Sequence, residues 1–256
     1  MSRTQITVVL GGKSLASVDE RIYVENITES VTSRHDTLAR MPYGLFALNN
    51  PYRESLTLTV TFMIKEKDQQ ERLSVIQAVR AWAVNGYLTT NMRPSQRIYV
   101  YCTRPPDYEV FDWTARMEIQ FTAVFPYWEA SATKSASSTG TDLTLSITPD
   151  GTQDCYLQFQ IRPNTSSTTL TSVTVTANGY TMTLGGLSVT YSGSYLTLSY
   201  DSQYIQSIKV GSTVVLNKRT ASSSDDIILR AGQANSVRVQ TNISCYVLLT
   251  ARGLYK

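Results

Sequence analysis

The sequence has one histidine, three cysteines, almost no net charge and no long apolar run, and each shortage removes a class of function. Any imidazole dyad or histidine-bearing metal cluster must use His35. It sits in Thr32-Ser33-Arg34-His35-Asp36, polar chain with no nucleophile motif nearby, so it reads as a solvated loop residue, which argues against a Ser-His-Asp triad. Cys102, Cys155 and Cys245 are far apart and odd in number, without a C-x-x-C. They read as buried small hydrophobes in a reducing compartment, with neither a disulfide frame nor a zinc site indicated. No stretch approaches the ~20 apolar residues of a membrane span. MSRTQITVVLGG lacks the apolar core and cleavage site of a leader, so the chain is expected to be made and folded in a cytoplasm, and the N-x-[ST] sequons at Asn26, Asn164 and Asn242 carry no weight. A net charge of +3 over 256 residues is too small to imply a nucleic-acid partner. Up to residue 130 there are 14 Lys and Arg against 14 Asp and Glu, and after it 9 against 6, scattered without a run.

Near the N-terminus, Gly12-Lys13-Ser14 matches the tail of a phosphate-binding loop. The full motif needs a glycine five positions before Gly12, where Thr7 stands, and a helix after Ser14, where the chain reads as extended. The alternating run Gln5 to Leu10 followed by Gly11-Gly12 signals a hairpin turn instead.

The composition changes at residues 130 to 141, ASATKSASSTGT, a small-residue stretch of linker character between a half rich in long side chains and one rich in Thr, Ser, Val, Leu and Tyr. The expected organisation is a first domain over 1–130, a linker over 131–141 and a second domain over 142–256. In the first, Leu56, Leu58, Val60, Phe62 and Ile64 alternate with Thr57, Thr59, Thr61 and Met63, a clear strand. Asp68 with Glu71 predicts a capped helix whose apolar stripe is Leu73, Ile76, Val79 and Ala83, with Val75 and Trp82 beside it, stopping at Asn85-Gly86. Strands are expected at 86–88 and 96–101 around a turn at Arg93-Pro94, a connection at Arg104-Pro105-Pro106-Asp107, and a last strand burying Met117, Ile119, Phe121 and Ala123. The reading is a small, mostly antiparallel barrel or sheet with one packed helix. Beyond residue 141 no helix is signalled. Short alternating runs recur, among them 143–147, 155–161, 180–184, 187–191, 195–200, 235–241 and 244–249, and Asn178-Gly179 predicts a type I′ hairpin. That pattern is an all-β sandwich.

Chemistry is thinly represented. Asp225-Asp226 would point to opposite faces of a strand, and Ser222-Ser223-Ser224 before them suggests a polar turn. A glycosidase carboxylate pair has no supporting pattern. Tyr180, Tyr191, Tyr195, Tyr200 and Tyr204 could stack on sugars, Tyr195 and Tyr200 being the chosen candidates, although tyrosine is also a good strand former that buries well with its hydroxyl at an edge. Trp82, Trp113 and Trp128 read as core or interface anchors. The residues from Thr37 to Tyr52 form a long, aperiodic, apolar stretch, better suited to a subunit contact than to a solvated tip. Tyr43, Phe46, Leu48 and Tyr52 are the contact candidates. No catalytic, metal-binding or cofactor-binding residue is assigned, and no enzyme activity or cofactor is expected.

Taken in order, Arg53-Glu54-Ser55-Leu56-Thr57-Leu58, Ala81-Trp82-Ala83-Val84-Asn85-Gly86-Tyr87-Leu88, Tyr99-Val100-Tyr101-Cys102 and Phe121-Thr122-Ala123-Val124-Phe125-Pro126-Tyr127-Trp128-Glu129 resemble the distal tail proteins of long-tailed, non-contractile phages. Ile228 to Val237 and Thr250 to Tyr255 look similar to the end of those proteins. The resemblance implies a mainly β chain: an N-terminal split β-barrel with one packed α-helix and a C-terminal galectin-like β-sandwich. It implies a structural virion protein, a hexameric ring joining tail tube to tail tip or baseplate, with a channel for the tape-measure protein and DNA. Its implied partners are copies of itself, the tube protein, the tail-tip hub or tail-associated protein, the tape measure and a receptor-binding protein, with no specific nucleic acid and no membrane insertion. It would be assembled in the bacterial cytoplasm and would lie at the distal end of the tail. The competing reading is a carbohydrate-binding adhesion module acting through the C-terminal sandwich.

Overall fold

A computed structural model describes residues 5–31, 38–41, 44–47, 55–111, 114–192 and 194–256, with backbone alone for 31, 38–41, 44–47 and 107–111. The fold is mainly β with one α-helix among the described residues, and it divides into two compact units, Met1–Tyr127 and Trp128–Lys256.

In the first unit, β1 (Val8–Leu10) and β2 (Lys13–Ser14) make the expected hairpin, with Leu10 facing Lys13 and positive φ at Gly11 and Gly12, a conformation open to residues without a Cβ. β3 (Ile22–Val31) follows, then β4 (Leu38–Met41) and β5 (Gly44–Ala47), which pair with each other as a separate two-stranded sheet. The stretch expected to be aperiodic therefore contains a hairpin. β6 (Leu56–Lys65) leads into α1 (Gln69–Trp82), then β7 (Gly86–Thr90), β8 (Gln96–Phe111) and β9 (Thr114–Ala123). The antiparallel sheet runs β2-β1-β7-β8-β9-β6-β3.

Its core is the meeting of two alternating strands: Leu58, Val60 and Phe62 of β6 lie opposite Phe121, Ile119 and Met117 of β9, all fully buried. Each such side chain contributes about 1.5–3 kcal/mol of apolar burial. Asp68 caps the helix, its carboxylate accepting from the Glu71 amide at 2.9 Å. Val75, Ile76, Val79, Trp82 and Ala83 of the expected stripe are buried, Leu73 lies at its margin, and Arg72 joins the buried face. Arg72 is accommodated because its guanidinium donates to the Glu66 carbonyl at 3.0 Å. The helix ends at Trp82, short of Asn85-Gly86; the Trp82 indole meets Phe121 edge-to-face and donates to the Lys13 carbonyl at 2.8 Å, which pins the helix end to the Gly11-Gly12 hairpin. β8 runs on through Pro105-Pro106, where a connection is expected. Its register against β9 shifts between Cys102 and Arg104 and again before Asp107, and such irregularities are where a strand tolerates residues that cannot donate.

The second unit comprises β10 (Trp128–Ala130), β11 (Lys134–Ile147), β12 (Cys155–Pro163), β13 (Thr169–Ala177), β14 (Tyr180–Thr190), β15 (Leu196–Tyr200), β16 (Gln206–Val210), β17 (Thr213–Val214), β18 (Ile228–Leu229), β19 (Asn235–Ala251) and β20 (Leu254–Tyr255). Residues 134–141 of the expected linker are thus strand, paired from Lys134 to Gly140 with Ala251 to Cys245. Ser, Thr and Gly there read as a linker by composition, yet a solvated outer strand needs no large side chains on its outer face.

The main sheet runs β14-β13-β19-β12-β15-β16-β17, with β11 on β19 and β18 on β12. β19 pairs with β11 along both of its halves, with β13 over Arg238–Thr241 and with β12 over Cys245–Ala251. At its bend, the Asn242 side-chain oxygen accepts from the amides of Thr171 and Ser172 at 2.9 and 3.1 Å. The sheet curls until the chain after β17 returns to β14: the amides of Thr220 and Ser224 donate to the carbonyls of Thr183 and Thr181. That return protects an edge that would otherwise invite intermolecular pairing. Asn178 and Gly179 have φ of 53° and 86°, as the type I′ turn requires. At the other end, β10 pairs with β20, and buried Glu129 accepts from Arg252 at 3.0 Å. Gly253 passes so close to the Asp150 carbonyl that a Cβ there would clash with backbone.

Asn235 is the densest polar node. It is 2% exposed, accepts from the Arg230 amide and the Asn178 side chain, both at 2.8 Å, and donates toward the carbonyls of Gln233, Arg230 and Ile147. Asn235→Ala leaves several of these groups buried without a partner and should cost about 2–3 kcal/mol in a urea titration; a loss under about 0.5 kcal/mol would show that the node is dispensable.

In the first unit, Arg21 gathers Asp19 and Glu66 at 2.8 Å and Glu71 at 3.1 Å. The hydrogen bonds from Arg21 hold the Asp19 carboxyl at about 2, below its ordinary 3.8. A depressed carboxyl stabilises the fold above its unfolded pKa and loses that contribution as pH falls through the folded value. The melting-temperature advantage of the wild type over Asp19→Asn should therefore be full above pH 3.8 and vanish toward pH 2. A difference independent of pH would contradict the assignment.

Candidate functional site

The sequence candidates fall in two places. Tyr43, Leu48 and Tyr52 lie outside the described residues, as do His35 and Trp113, and Phe46 is described by its backbone, which pairs with Ala39 in the β4–β5 hairpin. The second place, for Tyr195, is the outward face of the second unit's sheet, whereas Tyr200 shares the inward alternation of Leu196 and Leu198 in β15.

On that sheet, Leu157, Phe159 and Ile161 of β12 turn inward with Val247 and Leu249 of β19 and Leu196 and Leu198 of β15. Period two then sends the intervening residues out. Gln160 lies between Leu248 and Thr197, and Thr197 faces Lys209 of β16. One row further along β12, Arg162 lies opposite Tyr246. Tyr195 precedes β15 on the other side, and Tyr191 comes from the turn after β14.

The result is a guanidinium among three phenol rings: Arg162 lies 5.3 Å from the Tyr195 ring centre, 5.7 Å from Tyr246 and 5.8 Å from Tyr191. Tyr191 and Tyr195 are 42% and 39% exposed. The Arg162 Nε is buried without a hydrogen-bond acceptor, and the side chain makes no ion pair among the described residues. Aromatic faces attract the cation through their quadrupoles, but they do not supply the in-plane lone pairs that a guanidinium fork addresses.

No carboxylate of this unit is available to Arg162. Asp142 holds Arg238, Asp150 holds Lys134, Asp225 holds Arg219 and Glu129 holds Arg252. Asp154 accepts from the Ala231 amide and Asp201 from the amides of Gln203 and Ile205. Asp226 accepts from the Tyr200 hydroxyl at 2.7 Å and from Gln206 at 3.0 Å.

Tyr200, the other stacking candidate, has a different setting. Its ring lies 5.0 Å from that of Tyr156 and 6.2 Å from that of Tyr204, and burial, with the neighbouring Asp226, pushes its phenol far above the ordinary range. Asp225-Asp226 are thus tied into a structural network, and Ser223 and Ser224 before them receive the amides of Thr183 and Thr181. An open cleft beside β16, lined by Leu187, Ser188, Ser194 and Lys218, holds no cluster of ionisable groups.

For chemistry other than recognition the geometry offers little. No group of three His, Cys, Asp or Glu side chains is placed to hold a metal among the described residues. The three thiols are free; burial, followed by the Asp154 charge, pushes Cys155 up to about 12, and burial raises Cys102 and Cys245 as well, so none is poised as a thiolate nucleophile. Arg162 and Tyr246 carry no signal as a site in the sequence, because only strand register brings them together and beside Tyr191 and Tyr195.

No protein-family model matches the sequence, and no curated protein matches it. The fold does have a counterpart: the chain superposes over 97% of its length on 99% of the Dit (gp 19.1) protein of SPP1, with a TM-score of 0.63 and 12% sequence identity. That protein is described as a paradigm of the hub adsorption apparatus in phages infecting Gram-positive bacteria. The fold of this chain is Dit-like.

The two tyrosine candidates are separable by stability. Tyr200→Phe removes a hydrogen bond to a carboxylate and should cost about 1.5–3 kcal/mol in denaturant titration, whereas Tyr195→Ala, at an exposed ring, should cost at most about 1 kcal/mol. Equal costs would contradict the division into a structural and a surface tyrosine.

Proposed function

We propose that the chain is a structural protein of a phage tail, forming a hexameric ring that joins the tail tube to the tail tip or baseplate and leaves a channel for tape-measure protein and DNA. The observation that carries this reading is the end-to-end likeness to SPP1 Dit: 97% of one chain and 99% of the other are matched. The ordered motifs from Arg53 to Glu129 point to the same class of protein. In this reading the first unit forms the ring, and the second is a galectin-like sandwich. The chain acts by assembly and not by catalysis, in the virion, after folding in the host cytoplasm.

The hairpin of β4 and β5 supports a subunit contact there. It pairs only with itself among the described residues, and an isolated two-stranded hairpin is marginally stable in water. Closed cyclic symmetry would bury such an element in a repeated head-to-tail contact with a neighbouring copy, with Tyr43, Phe46, Leu48 and Tyr52 as its contact residues. The tube protein, the tail-tip hub or tail-associated protein, the tape measure and a receptor-binding protein are the further partners.

Mass in solution tests the ring. Light scattering at high concentration should give about six times the 28.5 kDa of one chain, and Phe46→Glu should reduce it to that of the monomer without changing the circular dichroism spectrum. Absence of the chain from purified tails would overturn the proposal.

A further inference from the structure

The outward face of β12, β15, β16 and β19 holds a cation that has no counter-ion among the described residues. All seven acidic side chains of the second unit are engaged elsewhere, and Arg162 has three aromatic rings around it but no acceptor. Its Nε is buried, and its two Nη groups are not among the buried atoms, so the outer edge of the guanidinium is the part left for a ligand. Lys209, exposed on the same face through its register with Thr197, makes no ion pair among the described residues.

We propose that this face binds an acidic saccharide, a sugar whose carboxylate or phosphate meets the Arg162 guanidinium while its ring lies against Tyr195 or Tyr191. Three features select this class. Two exposed phenol rings offer apolar faces with a hydroxyl at the rim, suited to the C–H face of a pyranose. Gln160 and Thr197, in the adjoining row, both donate and accept hydrogen bonds, as a hydroxyl-rich ligand requires. Two cations, Arg162 and Lys209, fit a ligand with widely spaced charges; duplex nucleic acid carries one charge per about 1.7 Å and would call for a longer basic track. From β19 to β16 the face is three strand spacings wide, about 14 Å, which accommodates two or three sugar rings. This inference does not depend on ring assembly.

Calorimetric titration of the full chain tests it with three probes of equal length: an oligogalacturonate, a phosphodiester-linked glucose oligomer and a neutral malto-oligosaccharide. At least one anionic probe should bind, more weakly as salt rises, and the neutral one should not. Binding of the uronate alone identifies the anion as a carboxylate, and binding of the phosphodiester-linked glucose oligomer alone identifies it as a phosphodiester. Arg162→Gln should reduce the affinity at least tenfold and Tyr195→Ala at least threefold. Arg238→Gln, which removes a cation paired with Asp142, should leave it within twofold. Should Arg162→Gln lower the melting temperature, Lys209→Gln at an exposed position provides the second variant, expected to weaken binding about threefold. Equal binding of the neutral probe, no binding of any probe, or unchanged binding by folded Arg162→Gln would each overturn the proposal. Light scattering on the same samples reports the ring separately, so either reading can fail alone.

Discussion

Backbone pairing on both edges of β19 is the constraint on which the second unit depends. One strand of 17 residues serves β11 on one side and, on the other, β13 before its bend and β12 after it. Through the bend the inward residues keep odd numbers: Val237 and Val239 before it, Cys245, Val247, Leu249 and Ala251 after it. The extra residues near 241–244 therefore turn the strand without turning its apolar face outward, and one continuous core results. The side chain of Asn242 fixes the bend by taking two amides of β13, while Asn235 anchors the beginning of the strand.

The same pairing decides what the opposite face presents. With Ile161, Val247 and Leu196 directed inward, Arg162 and Tyr246 are directed outward next to each other, and Tyr195 completes the row. A cation among aromatic rings is tolerated at a surface because the ring quadrupoles attract it. What distinguishes this arginine from Arg219, Arg238 and Arg252 is the absence of a carboxylate, since the nearby acids are held by turns, amides and other cations. The first unit uses its charges differently: Arg21 joins three carboxylates at one corner, and Arg93 takes Glu29 at 2.8 Å, so its cations work mainly to connect strands.

Much of this fold is legible in the sequence where one local rule suffices. Alternation in Leu56 to Ile64 marks β6, Asp68 marks the helix start, and Asn178-Gly179 marks its hairpin, because each depends on residues within one strand, one turn or one helical cap. Signals that depend on context mislead. Pro105-Pro106 reads as a break, but a bulged strand accommodates it. Residues 131–141 read as a linker, because small polar residues characterise both linkers and solvated strands; pairing with β19 makes 134–141 a strand. The runs 235–241 and 244–249 read as two strands, since the polar residues between them interrupt the pattern, although the backbone continues. Of the sugar-facing candidates, Tyr195 and Tyr200 look equivalent in sequence, and their neighbours differ: Tyr200 is tied to Asp226, while Tyr195 stands exposed beside Arg162.

By itself the sequence determines the class of the fold, the position of α1, that any imidazole chemistry would have to use His35, and the ordered motifs that resemble distal tail proteins. Each of these is written in residue type and short-range spacing. Only the tertiary structure decides that β19 is one strand shared between two partners, that β4 and β5 pair apart from the main sheet, and that Arg162 is left with rings and no acid. The physical reason is that strand register joins residues more than eighty positions apart, as it does Arg162 and Tyr246, and no local periodicity encodes which of many compatible registers the chain adopts.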